Sequence, residues 1–167
     1  AIEKRPLWLA IRKGIEVRGI TIELYKPKPR TGTPSQWERY RKNIFTYKKE
    51  YRYNTKTEER IDLVIWLNGL PIVVCEMKHE DEGQNVEDAI HESFLKRELG
   101  NDMYQLPFLY LALSNTEAKV ATNPEGYDSF RWFNADLVNK AETEGEYPVE
   151  HVYRHALAKD NIAKYLE

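Results

Sequence analysis

Two dense runs of apolar, largely β-branched residues, 61–67 and 72–78, constrain this chain more than any other part of its sequence. An Asn-Gly-Leu-Pro segment separates them, and Asn-Gly between two such runs predicts a β-hairpin. Because both runs are apolar at consecutive positions, both faces of the hairpin need cover from other elements. The sequence therefore predicts a mixed α/β fold, with a central hairpin flanked by helices.

The length of the chain, 167 residues, is suited to one domain with one hydrophobic core. No apolar run approaches the roughly 20 residues of a membrane span, so we expect no membrane association. Cys75 is the single cysteine, which excludes an intramolecular disulfide and indicates a reducing cytoplasm. The sequence also lacks a phosphate-cradling glycine-rich loop, which argues against nucleotide hydrolysis by this chain.

Other segments show the periodicity of helices or strands. We expect helices over residues 5–13, 85–99 and 148–166, and a short helix around the aromatic residues at 130–133. We expect a strand or hairpin bent at Gly19 over 15–25, an exposed edge strand over 41–53, and further strands over 106–113 and 118–121. Residues 26–35 contain three prolines and one glycine and are predicted to form a loop.

Three charged residues, Asp62, Glu76 and Lys78, interrupt the two apolar runs. An ionised side chain in a buried strand costs several kcal/mol unless it is paired or binds a metal. Carboxylate oxygens hold hard divalent cations, which activate water and neutralise charge on a phosphate. The two-residue period of a strand puts Glu76 and Lys78 on one face, about 7 Å apart. The pattern Asp-x13-Glu-x-Lys thus predicts a metal-dependent nuclease site, in which Lys78 orients or deprotonates the attacking water.

A purely structural role is the alternative for these three residues. Asp62 could cap a strand or pair with Arg60, and Glu76 with Lys78 could form an ordinary ion pair at a sheet end. Short patterns of this kind also occur by chance. The apolar surroundings on both strands of the hairpin favour the metal site, because isolated charges are costly there.

The loop of the hairpin decides whether Asp62 and Glu76 share a face of the sheet. Facing residues in an antiparallel pair share a face, and their residue numbers sum to a constant. A two-residue turn at Asn68-Gly69 would set Asp62 opposite Cys75 and turn Glu76 to the other face. A shared face requires a three- or five-residue loop, or a bulge. We predict a three-residue loop with Gly69 in the left-handed conformation, which makes Asp62 and Glu76 diagonal neighbours.

Basic residues concentrate in the segment 26–60, which has a local excess of seven positive charges although the chain's net charge is −2. Interleaved aromatic residues make this segment a candidate for lying along a phosphate backbone. The alternative is an edge strand and loop kept soluble by Lys and Arg, which also discourage edge pairing. The candidate contacts to DNA phosphates are Arg41, Lys42, Lys48, Lys49, Arg60 and, directly after the second run, His79.

Residues 60–78 resemble the nuclease-domain signature of the restriction (R) subunit of type I restriction-modification enzymes, a branch of the PD-(D/E)xK nucleases. The Asn-Gly-Leu-Pro hairpin between the Asp and the Glu-x-Lys makes this resemblance far more specific than the charged pattern alone. Other segments follow the family's order, so that the resemblance covers nearly the whole chain: 14–15, 43–46, 88–90, 106–110, 114–115, 118–120 and 130–132.

This resemblance implies a restriction-endonuclease-like fold, built on a central mixed β-sheet, and Mg²⁺-dependent cleavage of double-stranded DNA. It also implies the roles of four residues. Asp62 and Glu76 are metal ligands by this resemblance, and the Met77 carbonyl is an additional ligand. Lys78 is the catalytic lysine.

The chain departs from the family pattern at two places. The family usually carries a Gln, followed four residues later by a Tyr, on the helix after the lysine strand. The corresponding positions here are Glu92 and Lys96, and Glu92 enters as a candidate catalytic residue. An upstream carboxylate often completes the metal site in the family, and Glu3 is a poor substitute for it.

The resemblance further implies that this domain belongs to a longer subunit. Residues 1–147 would form the nuclease domain, and residues 148–167 a helical segment leading toward a translocase domain that this chain lacks. ATP would be used by the full-length subunit and not by this fragment. The implied partners are double-stranded DNA and the modification and specificity subunits, in the cytoplasm of a prokaryotic cell. A specificity subunit would select the sequence while this domain holds the DNA backbone. The alternative is a non-cleaving DNA-binding or subunit-assembly module with the same fold.

Overall fold

The computed structural model describes residues 6–97, 101–133 and 145–167. Its strands form a six-stranded sheet and a separate two-stranded hairpin. The strands are β1 (Ile15–Val17), β2 (Ile20–Ile22), β3 (Phe45–Arg52), β4 (Arg60–Leu67), β5 (Leu70–Met77), β6 (Leu109–Leu113), β7 (Ala118–Ala121) and β8 (Arg131–Trp132).

The large sheet has the strand order β3-β4-β5-β6-β7-β8. Only the β5–β6 pair is parallel, and every other neighbouring pair is antiparallel. The mixed sheet with a central β4–β5 hairpin confirms the expected α/β architecture. The sheet alone does not single out the restriction-endonuclease-like fold.

Helices surround the sheet. They are α1 (Leu7–Lys13), α2 (Pro34–Arg41), α3 (Val86–Asp88, continued by the π-helical segment Ala89–Phe94), α4 (Asp102–Gln105), the π-helical segment Val152–Ala156 and α5 (Lys159–Tyr165). Short 3₁₀ turns span Glu80–Glu82 and Tyr127–Ser129. Within the described residues, no helix is long and apolar enough to span a bilayer.

Two buried clusters lie on either side of the sheet. One joins alternate residues of β4 and β5, such as Leu63 and Val73, to α1 and the C-terminal helices, including Val152 and Ile162. The other places Val64 and Val74 with the helix that begins at Val86, and with Tyr104 and Tyr110. Because both faces of the central hairpin are covered by helices, its strands can be apolar at almost every position.

The N-terminal predictions are confirmed. Helix α1 ends at Gly14, whose φ of 77° is a conformation that glycine adopts without steric cost. Gly19, with φ of 78°, forms the bend between β1 and β2. Strand β3 lies at the sheet edge, as its interspersed charges predict.

Helix α2 was not expected, because residues 34–41 fall partly in the predicted loop and partly before the predicted strand. Pro34 occupies the first turn of this helix, where its missing N–H is not needed. Gln36 Oε1 accepts a hydrogen bond from the backbone N–H of Thr33 at 2.9 Å. The sequence Thr-Pro-Ser-Gln carries this helix-start signal, which the high proline content of the segment obscured.

Four later elements differ from the predictions. Residues 131–132 form β8 beside β7 rather than a helix. The strand expected over 106–113 begins at Leu109, because α4 and Pro107 precede it. The helix expected over 148–166 is split in two at Leu157 and Ala158. The helix expected over 85–99 spans 86–94, and the last two residues of that prediction lie outside the described ranges.

The prediction of a three-residue hairpin loop was wrong. Asn68 and Gly69 form a two-residue turn that pairs Leu67 with Leu70. Both turn residues have positive φ, 51° for Asn68 and 84° for Gly69. This is the type I′ geometry that Asn-Gly favours, because its twist matches the right-handed twist of the flanking strands.

A bulge follows directly after this turn. Trp66 faces Pro71, but the next pair is Ile65 with Val73, so that Ile72 is an extra residue in β5. Proline has no N–H to donate to a sheet and is found mainly at edges and bulges. The regular pairing of β4 with β5 is therefore interrupted next to Pro71.

The bulge changes the face on which Glu76 stands. After it, Leu63 faces Cys75 in the last pair of the ladder, and Asp62 and Glu76 are the next residues on the two strands. This register differs from the diagonal arrangement that a three-residue loop predicts. A bulge was one of the arrangements that permit a shared face. It adds the one extra residue between the two strands that a two-residue turn lacks.

Candidate metal centre

Asp62 stands near the start of β4, where its carboxylate is attached to the neighbouring strand. Its Oδ2 accepts a hydrogen bond from the backbone N–H of Met77 at 2.6 Å. Burial raises the pKa of Asp62 above its ordinary value, the Met77 N–H opposes this rise, and the charge of Glu50 adds to it. Asp62 is thus held in a partly desolvated position that favours either a proton or a cation beside it.

Glu50 faces Asp62 across the β3–β4 pair, between the Lys49–Leu63 and Tyr51–Ile61 pairs. Its φ of 49° lies in the left-handed region, which is uncommon for a residue with a side chain. The backbone of the edge strand is therefore irregular beside Asp62. Such irregularities in edge strands often lie next to functional sites.

Glu76 is the most deeply buried carboxylate of the hairpin, with 1% of the residue exposed. Its Oε1 accepts hydrogen bonds from Arg97 Nη1 at 2.5 Å and from the Tyr104 hydroxyl at 3.3 Å. Burial raises the pKa of Glu76 to about 8, although Arg97 and hydrogen bonds from Ser93 and Tyr104 act to lower it. A carboxyl with this pKa exchanges its proton readily near neutral pH, so a cation can take the proton's place.

Lys78 continues the line of β5 by one residue, since its backbone N–H donates to the Leu113 carbonyl at 2.9 Å. Its Nζ lies 3.1 Å from Glu92 Oε2. The structure therefore brings Glu92 against the lysine of the Glu-x-Lys pattern. The π-helical segment Ala89–Phe94 carries Glu92, and π-helical turns often occur at functional sites.

The charges of these side chains affect one another. The charge of Asp62 raises the pKa of Glu76, while the charges of Arg97 and Lys78 lower the pKa of Asp62. Asp62, Glu76, Lys78 and Arg97 thus form one electrostatic unit, in which two carboxylates are balanced by two cations. A change of charge at Asp62 or Arg97 therefore alters the pKa of Glu76.

The donor atoms in this unit suit a hard divalent cation. Within the described ranges, no cluster of three or more His, Cys, Asp or Glu side chains is placed to hold a metal. Mg²⁺, however, is usually bound through one or two carboxylates and keeps several waters. Asp62, Glu76 and the backbone of residue 77 provide two carboxylates and a carbonyl on adjacent strands, which fits that coordination. Glu3 lies outside the described residues.

A cavity of about 880 Å³ opens beside Asp62 on the side of the sheet that faces α5. Asp62 lines this cavity, whereas Glu76 is held by Arg97, which follows the π-helical segment, and by Tyr104 of α4. The floor of the cavity is apolar and its rim carries charged groups. Among its lining residues are Lys49, Glu50, Asp62, Leu63, Met77, Tyr153 and Lys159.

Three of the six candidate phosphate contacts lie near this site. Lys49 lines the cavity together with Asp62. Arg60 is two residues before Asp62 and lies 3.9 Å from the Glu50 carboxylate. His79 directly follows Lys78, and its Nδ1 lies 3.3 Å from Asp81 Oδ2.

The other three candidates lie elsewhere on the same edge. Lys48 is placed over the Tyr51 ring, with Nζ 5.8 Å from the ring centroid. Arg41 and Lys42 stand at the end of α2, before the opposite end of β3. The strand from Phe45 to the position facing Asp62 spans about 16 Å at 3.3 Å per residue. The structure therefore does not bring Arg41 and Lys42 to the carboxylates.

Sequence reasoning missed Arg97, Ser93 and Tyr104 as partners of Glu76. Tyr104 is buried, and its hydroxyl contacts both Arg97 and Glu76. A buried acid needs partners, so an Arg shortly after the next helical segment was a foreseeable signal. The spacing alone could not distinguish Arg97 from Lys96.

Comparisons with known proteins identify the family of this chain. The family described as "Type I restriction enzyme R protein N terminus" matches residues 13–129. A relative from Methanocaldococcus jannaschii, provisionally named as the type I restriction enzyme MjaIXP endonuclease subunit, is 28% identical over 98 residues. That match covers 56% of this chain but 9% of the relative, so the chain spans a small part of its length.

The family match includes β4, β5, the π-helical segment that carries Glu92, and Arg97. It covers well over half of the chain. The chain therefore belongs to the family of type I restriction enzyme R protein N termini.

Proposed function

We propose that this chain is a Mg²⁺-dependent endonuclease domain that hydrolyses phosphodiester bonds of double-stranded DNA within a type I restriction enzyme. The observation that carries the proposal is the register of the central hairpin. Its last pair is Leu63 with Cys75, so that Asp62 and Glu76 are the next residues on the two strands, and Lys78 follows two residues after Glu76. Family membership and the name of the relative from M. jannaschii support the same reaction class. We assign the domain to the PD-(D/E)xK nucleases on this basis.

The carboxylates of Asp62 and Glu76 and the Met77 carbonyl would hold the Mg²⁺ ion. When bound, the cation would neutralise charge on the phosphate and favour ionisation of water. Lys78 orients the attacking water or accepts its proton. Glu92 holds the Lys78 ammonium from the side of the π-helical segment, which restricts the positions that Nζ can take.

DNA is held chiefly through its phosphates, and sequence selection comes from a partner subunit. Lys49, Arg60 and His79 stand closest to the carboxylates and would contact the phosphates next to the scissile bond. Lys48, Arg41 and Lys42 extend the basic edge away from the site. The assembled enzyme would contain modification and specificity subunits, use ATP outside this domain, and work in a prokaryotic cytoplasm.

The test of this function is Lys78→Ala in the assembled enzyme. We expect loss of DNA cleavage while ATP-driven translocation continues, because Lys78 acts on the attacking water and not on ATP. Lys164→Ala, which removes an exposed lysine on α5, is the matched control and should leave both activities unchanged. Retained cleavage in Lys78→Ala would refute the assigned role.

A second test addresses the metal site itself. A structure determined with Mn²⁺ or Ca²⁺ should place the ion between the Asp62 and Glu76 carboxylates, at about 2.0–2.6 Å from their oxygens. An ion bound elsewhere, together with cleavage that is insensitive to Asp62→Asn, would favour a DNA-binding or subunit-assembly module that does not cleave.

A further inference from the structure

We propose that Arg97 is a positioning residue that fixes the Glu76 carboxylate for a divalent cation, with Tyr104 as its partner. This inference rests on the proposed metal site at Asp62 and Glu76. Neither Arg97 nor Tyr104 is placed to touch DNA or the reacting atoms in this assignment. Both act through the orientation of Glu76.

The contacts among the three side chains form a closed triangle. Arg97 Nη1 lies 2.5 Å from Glu76 Oε1 and 2.7 Å from the Tyr104 hydroxyl, and that hydroxyl lies 3.3 Å from the same Oε1. The Arg97 and Glu76 side chains are 17% and 2% exposed. A hydrogen-bonded triangle shielded from water leaves the carboxylate little freedom to rotate.

Aromatic rings hold this triangle in place. The Tyr53 ring packs edge-on against Tyr104 at a centroid distance of 5.4 Å. The guanidinium carbon of Arg97 lies 5.9 Å from the Tyr53 ring centroid. Phe94 contacts Tyr104 from another direction, with centroids 6.3 Å apart. Because these rings are part of the core, Arg97 and Tyr104 are fixed independently of any bound cation.

The oxygen that Arg97 and Tyr104 contact indicates that they position Glu76 and do not compete with the cation for it. Arg97 and Tyr104 both hold Oε1, so a cation that binds through Oε2 need not displace them. Asp62 is held in a comparable way, because the Met77 N–H engages its Oδ2. Each of these contacts therefore fixes one oxygen of its carboxylate. Partners that orient metal ligands in this manner typically contribute 10- to 100-fold to metal affinity.

The experiment measures Mn²⁺ affinity of the 167-residue chain by isothermal titration calorimetry, with circular dichroism to verify folding. We expect Arg97→Met to weaken Mn²⁺ binding by about 10- to 100-fold, and Tyr104→Phe to weaken it by a smaller factor. Arg97→Lys should restore part of the affinity. The exposed residues Arg30 and Tyr165 supply the matched controls Arg30→Met and Tyr165→Phe, which should bind as the unmodified chain does.

Two further variants separate this inference from the metal site on which it rests. If Asp62→Asn and Glu76→Gln leave Mn²⁺ binding unchanged, the proposed metal site and the role of Arg97 are both refuted. If those variants weaken binding but Arg97→Met binds equally or more tightly, the site stands and the positioning role is refuted. Should Arg97→Met fail to fold, Tyr104→Phe removes a single hydroxyl and decides the question in the same way.

Discussion

The Oδ2 atom of Asp62 lies 2.6 Å from the backbone nitrogen of Met77, across the central hairpin. This bond attaches the β4 carboxylate to the strand that also carries Glu76 and Lys78. The bulge after the turn sets the register that leads to this contact, in which Leu63 pairs with Cys75. One side-chain contact thus connects the backbone geometry of the hairpin to the arrangement of the candidate metal ligands.

We expect Asp62→Asn to abolish cation-dependent cleavage while the fold is retained, because Asn keeps an acceptor for the Met77 N–H but removes the charge. A bound cation contributes several kcal/mol to catalysis, so cleavage should fall by at least about 100-fold. Asp62→Ala should also lose about 1 kcal/mol of stability with the hydrogen bond. DNA cleavage and urea unfolding measure the two effects. The control is Asp81→Asn at an exposed position, and equal activity of the two Asn variants would contradict the assignment.

The pKa of Glu76 predicts how stability depends on pH. Burial raises this pKa to about 8 from an ordinary value of 4.5. A raised carboxyl pKa contributes stability that is fully present below about pH 4.5 and is lost as pH rises through 8, because the folded state binds the extra proton. At 1.36 kcal/mol per unit, the loss is about 5 kcal/mol at most.

Glu76→Gln removes this titration and tests it. Urea unfolding at pH 5, 7 and 9 should show the variant gaining stability relative to the unmodified chain as pH rises. Gln also differs from the protonated carboxyl in its hydrogen bonds to Arg97 and Tyr104 at every pH, so the change with pH is the informative quantity. Parallel pH profiles for the two proteins would show that Glu76 does not titrate in this range.

Glu92 and Lys78 form an ion pair whose carboxylate is half-exposed, so its contribution to stability is small, below about 1 kcal/mol. Its effect on cleavage should be larger, because it restricts the Lys78 ammonium. We expect Glu92→Leu to reduce the cleavage rate about tenfold, which corresponds to 1.36 kcal/mol. Glu92→Gln keeps an oxygen acceptor and should remain within about threefold of the original rate. Equal rates in Leu and Gln variants would exclude this role, and single-turnover cleavage assays provide the measurement.

The two apolar runs sufficed to predict the central hairpin, its burial on both faces and the charged residues at its end. Local turn chemistry also contained the answer that was missed. Asn68-Gly69 favours a two-residue type I′ turn, and Pro71 marks the bulge that restores the shared face. A two-residue turn and a shared face for Asp62 and Glu76 are incompatible only if β5 is assumed to have no bulge. The three-residue loop satisfied the shared-face requirement but ignored the preference of the turn itself.

The partners of Glu76 could not be predicted to the same degree. Arg97 follows the π-helical segment and Tyr104 lies on α4, and their contact with Glu76 depends on how these parts of the chain pack against β5. A sequence indicates that a buried acid needs partners, but tertiary packing selects among the candidates. The residues on β4 and β5 share one hairpin, whose register follows from local rules, and were therefore easier to place.

Asn68 should contribute to stability through its side chain as well as its turn geometry. Its Oδ1 accepts from the Ile44 N–H at 2.8 Å, and its Nδ2 donates to the Leu24 carbonyl at 2.8 Å and to Asn43 Oδ1 at 3.1 Å. We expect Asn68→Ala to lose about 4 kcal/mol, from three hydrogen bonds of about 1 kcal/mol each and the cost of a positive φ. Asn68→Asp retains the acceptor and should lose less. Thermal unfolding compares the two variants, and a smaller loss for Ala would contradict this ranking.

The position of the basic residues relative to Asp62 predicts which of them contact DNA phosphates at the site. Lys49 and Arg60 stand beside the carboxylates, whereas Arg41 and Lys42 lie beyond the other end of β3. Each phosphate contact contributes about 0.9 to the slope of log affinity against log salt concentration. We expect the double variant Lys49→Met with Arg60→Met to reduce this slope by nearly 2 in the assembled enzyme. Arg41→Met with Lys42→Met, the matched charge change, should reduce it by less than about 0.5.

The salt dependence of DNA binding by the assembled enzyme, measured by fluorescence anisotropy, gives both slopes. Since Lys49 and Arg60 also lie next to the proposed scissile phosphate, their removal should slow cleavage at saturating DNA. Removal of the distant pair should change only affinity, because those side chains cannot reach the reacting phosphate. The opposite result would be a larger slope change for the Arg41 and Lys42 variant, with unaltered cleavage in the Lys49 and Arg60 variant. It would place the DNA along the far end of β3, away from the carboxylates.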